Sequence, residues 1–442
     1  MDKQHVLIQT RMGKVKGLEN AKTQKFLGIR YAYAARYEAP QPYHYETEEI
    51  DATQHAPIAW QSHSQFESFY IGTEYDTIQQ TEFPHYLSIT RPKEKQQLLP
   101  VMVWIHGGSF VNGSGENPEY DPSPLVIQEN VIVVNLSYRL GVLGFLRNQQ
   151  GELANLGLLD QIEALKWIQS HIEDFGGDPS NITIFGQSAG GESVRALMLA
   201  EGTEHLFHRA IIQSAPLGLM KGRDPMTRYM LDHLKNLALD ADIAQIKALQ
   251  TQLTSYNKGK GLTKLMPFGP NYGIYPLPKE KEIPQILKER AKHYDLLIGH
   301  TKREVNVFIY MNDFYRKLSE MPIFKWFISG VVYGLTQIIY AKPSYAFYKA
   351  YKKNKGNAYF YQFNWLTRDY FFAAGHSSEL ALLFDVAPYM KSPLYAQLSE
   401  EKIISSGQTM KKVWGDFAKT GTIQIPTNRN ILDIKSSSQT KR

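Results

Sequence analysis

The chain has 442 residues, 43% hydrophobic and 21% charged, which is ordinary globular composition and enough for two or three average domains or one large α/β domain with insertions. Its 49 basic and 43 acidic side chains leave a net charge of +6 without a dense Lys/Arg block, so a solvated basic face is expected and no nucleic-acid site. There is no cysteine, which excludes disulfides, cysteine nucleophiles, thiolate metal sites and iron–sulfur clusters, and makes the cytoplasm the expected location.

In chain order, residues 1–97 read as antiparallel strands and loops, and the opening MDKQHVLIQTRMGKVKG lacks the apolar core of a secretory signal. From residue 98 strands and helices alternate. LLPVMVWIHGG (98–108) and NVIVVNLSYRLG (130–141) are continuous apolar runs of strand type. LLDQIEALKWIQSHIEDFGG (158–177) predicts a helix, with Ile162, Leu165, Ile168 and Ile172 on one stripe and Gly176-Gly177 as its stop. NITIFGQSAGGESVRAL (181–197) predicts a strand entering a helix, and DLLIGH (295–300) and AYFYQFNW (358–365) are two more strands. Runs apolar on both faces and separated by helices imply a mostly parallel sheet covered on both sides.

Two segments, 216–290 and 306–356, read as helical insertions, the first rich in lysine and the second in aromatic residues. IFKWFISGVVYGLTQIIY (323–340) is short for a membrane span and is interrupted by Lys325, Ser329, Thr336 and Gln337; it reads as a buried or cap helix, with no membrane insertion. Its Gly330-x-x-x-Gly334 reads as helix packing. The polar tail 433–442 is expected to be disordered.

Ser188 stands at the apex of Gly-Gln-Ser-Ala-Gly between a strand and a helix. Glycines there make a tight turn and a serine caps a helix, but G-x-S-x-G is also the nucleophile elbow, in which a strained turn projects a serine hydroxyl. A nucleophile needs a base, an orienting acid and oxyanion donors. Six histidines follow it: His205, His208, His233, His293, His300 and His376. His376 is placed behind a glycine after a strand, at the start of an amphipathic helix, where a base reaches such an elbow; a surface or capping histidine is the other reading. Gly107 and Gly108 end the strand of WIHGGSF, so their amides and that of Ala189 can face a developing oxyanion. A plain tight turn is the alternative, since no phosphate-loop or dinucleotide fingerprint is present. Glu304 directly follows the strand 295–300, as an orienting acid or as an exposed glutamate beside Lys302 and Arg303. No H-E-x-x-H or other metal-ligand cluster occurs, and no metal or cofactor is expected.

These residues resemble the type-B carboxylesterases, the cholinesterase-like branch of the α/β-hydrolases, and among them the bacterial para-nitrobenzyl-type esterases. FLGIRYA, PVMVWIHGGSFVNGSG, YDPSPL, VIVVNLSYRLGVLGFL, LFHRAIIQS, DLLIGHTKRE, GHSSELALLF and MKKVWGDFAKTG match in order around the block 100–215. The resemblance implies a single α/β-hydrolase catalytic domain over 1–432, with the helical insertions as a cap over the site. It implies Ser188 as nucleophile, Glu304 as acid, His376 as base, and Gly107, Gly108 and Ala189 as oxyanion hole. The implied substrates are a small-molecule ester and water. Three positions depart from the family: Val305 where glycine is usual, TEFPHYLSI without its cysteine, and Tyr272 where aspartate is usual. A catalytically silent binding module, or a lipase or amidase using the same residues, are the other readings.

Overall fold

The computed structural model describes residues 4–62, 64–71, 78–94, 97–256, 262–366, 373–427 and 429–435. Twelve strands form one sheet among these residues. Its order across the molecule is Gln4–Thr10, Gly13–Glu19, Thr23–Arg30, Tyr86–Pro92, Ile132–Leu136, Leu99–Ile105, Gly177–Gln187, Arg209–Gln213, Asp295–Thr301, Ala358–Phe363 and Leu432–Lys435. A short strand, Glu49–Asp51, lies beside Gly13–Glu19. The six strands from Ile132–Leu136 to Ala358–Phe363 run parallel, and both borders of this block are antiparallel.

The apolar runs account for this arrangement. Val101, Val103 and Ile105 enter one hydrophobic layer and Met102 and Trp104 the other, as the two-residue period of a strand requires. Helices Leu156–His171 and Ala189–Leu199 cover the first face; Ser123–Glu129 and Glu400–Thr420 cover the second. The first of these ends earlier than its apolar stripe predicts. A 3₁₀ turn takes over at Ile172–Phe175 and Gly176 closes it at φ 84°, so that Gly177 begins the next strand.

After Leu99–Ile105 the chain moves to Ile132–Leu136 on one side, then crosses back to Gly177–Gln187 on the other. This reversal opens a crevice beyond the carboxyl ends of the central strands, where open α/β sheets bind their ligands. Parallel pairing of Ile105 with Gly186 brings His106-Gly107-Gly108 beside Ser188.

Both insertions are helical. The first contains Asp224–Leu234, Ile243–Tyr256 and Ile283–Arg290; the second contains Asn306–Tyr310, Asp313–Glu320, Pro322–Thr336 and Lys342–Lys353. A π turn over Gln337–Ala341 joins the last two helices. The segment 323–340, read as a buried or cap helix, lends Leu335 and Ile339 to the crevice and is buried along one stripe only: Ile328, Val332 and Thr336 are buried, while Ile323 and Trp326 are each 83% exposed. The expected disordered tail also starts too early. Leu432 and Ile434 pair opposite Phe363 and Tyr361, because alternation of apolar Leu432 and Ile434 with Asp433 and Lys435 makes an edge strand. Residues 436–442 lie outside the described residues.

Behind the crevice, Asp160 is fully buried and joins three elements. Its carboxylate accepts from Arg139 Nε and Nη2 at 2.8 and 2.6 Å, from the Arg139 amide at 3.0 Å, and from His85 Nε2 at 3.1 Å. Burial alone would raise its pKa, but Arg139 and then His85 outweigh that and hold it well below the usual carboxylate range. A depressed carboxylate contributes stability that is complete above about pH 4, the unfolded pKa, and is lost as the pH falls below it. Asp160→Asn leaves the buried Arg139 charge uncompensated and should cost about 3–5 kcal/mol at neutral pH, measured as a lower urea midpoint. An unchanged midpoint would show that the cluster does not tie these elements together.

Candidate active site

Ser188 occupies the turn between strand Gly177–Gln187 and helix Ala189–Leu199 with φ 59° and ψ −122°. Serine rarely adopts such angles, and the neighbouring backbone enforces them here. The Ser188 amide donates to the Gln213 carbonyl at 2.9 Å, and its carbonyl accepts from the Glu192 amide at 3.0 Å. Glycine is required on both sides. A Cβ on Gly186 would stand 2.6 Å from the Gly190 carbonyl and 2.7 Å from that of Ile105, and a Cβ on Gly190 would overlap the Ile105 carbonyl oxygen.

His376 Nε2 lies 2.8 Å from Ser188 Oγ, and His376 Nδ1 lies 2.6 Å from Glu304 Oε2. Glu304 is fully buried and is not an exposed partner of Lys302 or Arg303. Its other oxygen accepts from the Thr301 amide at 2.7 Å, and its carbonyl accepts from the His376 amide at 3.0 Å. The two residues are therefore fixed through side chain and backbone together. Val305 adopts φ −83°, an ordinary right-handed conformation, so this turn has no need of the glycine usual in the family.

The helix expected to start at His376 does not form. Ala374 and Ser377 have φ 50° and 67°, which breaks helical geometry, and only a 3₁₀ turn over Leu380–Leu382 follows. The stretch 374–384 is buried on all sides, so its apolar residues mark burial and not one helix face.

Gly107 rests against the serine, since a Cβ there would lie 3.3 Å from Ser188 Cβ and 2.8 Å from the Gln187 carbonyl. Gly108, at φ 99°, accepts from the Val111 and Asn112 amides at 3.0 and 2.9 Å. The amides of Gly107 and Gly108 donate to no protein group among the described residues. His106 anchors the loop by stacking on Tyr138 at 4.4 Å; burial lowers its pKa to about 4, so its ring is neutral. All six sequence-derived site residues thus converge on the turn: Ser188, His376 and Glu304 in one hydrogen-bonded chain, with Gly107, Gly108 and Ala189 around the serine.

The crevice is a cavity of about 790 Å³. Phe66, Phe308 and Tyr340 line it and carry rings within 6.4 Å of the His376 ring. Leu335 and Ile339 of the second insertion and Thr251 and Thr254 of the first complete a cap over it.

Gln187 and Glu379 adjoin the site, whereas Tyr272 lines a separate cavity. Gln187 Nε2 lies 3.2 Å from His376 Nε2. Tyr272 donates to Glu192 Oε1 at 3.0 Å and lies 4.9 Å beneath the Arg195 guanidinium, so it does without the usual aspartate by a hydroxyl and a ring face. Glu379 is fully buried with Oε1 3.3 Å from Ser214 Oγ. Burial, with the Glu304 carboxylate second, pushes its pKa up to about 8. Its signal in the sequence is a single charge in the apolar run after His376.

A parallel sheet with antiparallel borders, helices on both faces and a strained serine turn at its carboxyl edge is the α/β-hydrolase fold. Within it, this chain belongs to the carboxylesterase family, whose model matches residues 4–321 and 324–440, and it is a carboxylic-ester hydrolase. It is 33% identical to a probable N-octanoylanthranilate hydrolase AqdA2 of Rhodococcus erythropolis, over 91% of this chain and 90% of the relative. It is 31% identical to the para-nitrobenzyl esterase of Bacillus subtilis (strain 168), over 94% and 90% of the two chains. A solved thermophilic PNB esterase superposes with a TM-score of 0.77 at 27% identity, covering 99% of this chain and 98% of that one.

The raised pKa of Glu379 has a sign that can be measured. Between its ordinary value of 4.5 and about 8 the folded state holds a proton that the unfolded state releases, so this group's stabilisation is lost as the pH rises through that window. Glu379→Gln removes the titration. Its melting temperature should equal that of the wild type near pH 5 and exceed it at pH 8 or above. Parallel melting curves at both pH values would refute a protonated Glu379.

Proposed function

We propose that Ser188 is the nucleophile, His376 its general base and Glu304 the acid that orients the imidazole. The hydrogen-bonded chain from Glu304 through His376 to Ser188 carries this reading. His376 Nε2 takes the Ser188 proton as Oγ attacks the ester carbonyl carbon. Negative charge forming on the carbonyl oxygen is met by the amides of Gly107, Gly108 and Ala189; in such sites one lost donor costs on the order of 100-fold in rate. The tetrahedral intermediate collapses, the imidazolium protonates the departing alcohol, and an acyl group remains on Ser188. Water, deprotonated by His376, then releases the acid. No metal or cofactor enters these steps. The continuous sheet from residue 4 to 435 supports a single catalytic domain. The absence of cysteine supports a cytoplasmic location.

The substrate is proposed to be a small to medium uncharged ester. A wall of Phe66, Phe308, Leu335, Ile339 and Tyr340 desolvates an acyl chain, while Lys264, the lysine of the lining, is solvent-exposed. The Rhodococcus relative is named for an octanoyl group, which fits a medium acyl chain; the amide bond and carboxylate of N-octanoylanthranilate lie outside this reading.

A fluorophosphonate probe should label the wild type and not Ser188→Ala, which should fold normally and lose all but a trace of esterase activity. Glu304→Gln should lower kcat far more than it changes KM, because the carboxylate acts on the imidazolium of the transition state. Labelling of Ser188→Ala would move the nucleophile elsewhere.

Across monomeric para-nitrophenyl esters from acetate to palmitate, each added CH₂ buries ~0.8 kcal/mol. The kcat/KM should therefore climb to a medium chain length and drop once the cavity is full. A maximum at palmitate would replace this reading with a lipase.

A further inference from the structure

The second insertion carries an apolar surface that the fold leaves uncovered. Helices Asp313–Glu320 and Pro322–Thr336 form a hairpin turning at Met321. Its longer helix is apolar almost all round but buries only the stripe of Ile328, Val332 and Thr336. Ile323 and Trp326 are 83% exposed, Phe327 70% and Phe314 69%. Helices apolar on every side are normally enclosed by protein or by lipid. Large exposed apolar patches mark a surface that meets something.

Charge identifies what it meets. Residues 306–356 contain eight basic and two acidic side chains, an excess of six that equals the net charge of the entire chain. The rest of the protein is balanced. Lys317 and Lys325 are exposed on the hairpin itself, and Lys342, Lys349 and Lys353 are exposed further along the same helical rod. Exposed tryptophan and phenylalanine with lysine on one helix is the composition of an element that lies in a lipid interface.

We propose that the Asp313–Thr336 hairpin is a peripheral docking element that seats this protein on an anionic lipid bilayer. Trp326, Phe327 and Ile323 enter the headgroup–acyl boundary while the lysines meet lipid phosphates. The element lies on the membrane and does not span it. Its continuation is held to the sheet by the Tyr351 hydroxyl, which donates to the Tyr294 carbonyl at 2.6 Å, and by Tyr345 and Tyr348 against Phe360. A second copy is the weaker occupant, because a two-fold contact would oppose the same lysines across the interface. The docked helix is also the cap helix whose Leu335 lines the cavity, so an ester dissolved in the bilayer would arrive at the cavity wall.

Sedimentation of the full chain with phosphatidylcholine vesicles, with and without phosphatidylglycerol, reads this without any turnover and so independently of the catalytic assignments. Wild type should pellet with the anionic vesicles, with a blue shift of tryptophan emission, and much less with phosphatidylcholine alone. The double variant Trp326→Asp/Phe327→Asp changes exposed positions outside the cavity. It should cut partitioning by about tenfold or more and leave hydrolysis of a soluble ester unchanged. Lys317→Glu/Lys325→Glu should reduce the preference for anionic lipid. Three results would each overturn the proposal: wild type left in the supernatant with both vesicles, undiminished binding of the tryptophan–phenylalanine variant, or a wild-type dimer that this variant dissociates while vesicles are ignored.

Discussion

Everything in the site hangs on the backbone of Ser188, held at φ 59° where a residue with a side chain pays in strain. The turn cannot relax. Gly186 and Gly190 pack against the end of strand Leu99–Ile105 with no room for even a methyl group, and the Gln213 carbonyl fixes the Ser188 amide from the other side. The central strands therefore dictate the serine's angles, and the serine's angles dictate where His376 and the Gly107 loop must stand. A wide, fully buried parallel sheet provides the rigidity such a conformation needs.

Three buried carboxylates show how one fold assigns different electrostatic duties. Asp160 has a guanidinium, an amide and an imidazole around it, so it remains charged and binds three elements together. Glu304 has the Thr301 amide on one oxygen and the His376 ring on the other. Glu379 has one hydroxyl at long range and Glu304 as a neighbour, and its proton stays on. Burial favours the neutral acid at both Asp160 and Glu379; the Arg139 and His85 charges overturn it at Asp160, and the Glu304 carboxylate adds to it at Glu379.

Much of this was legible in the sequence because the chemistry is local. The apolar runs at 99–105, 132–136 and 182–187 mark strands buried on both faces, and the glycines around Ser188 mark a turn no other residue fits. Distance defeats such reasoning elsewhere. Nothing near Glu379 in sequence shows that Ser214 and Glu304 face it, and the Asp160 cluster joins residues 85, 139 and 160 across separate elements. Local pattern also misleads where burial is uniform: GHSSELALLF has the look of a helix, yet left-handed Ala374 and Ser377 and all-round packing forbid one. At 323–340 an apolar run means burial only if the fold covers it, and covering is a tertiary fact.

The placement of the two edge strands has a consequence for the molecule's reach. Gln4–Thr10 and Leu432–Lys435 stand at opposite ends of the eleven-strand order. Ten steps of about 4.8 Å separate them by roughly 48 Å, and twist of about 20° per step turns one edge through some 200° relative to the other. The polypeptide enters and leaves the sheet on far sides that face different ways. A peptide joining the two edges would need at least about fourteen fully extended residues, and more to follow the twisted surface. A covalent bridge between these two edge strands is thus a problem of linker length before it is one of stability.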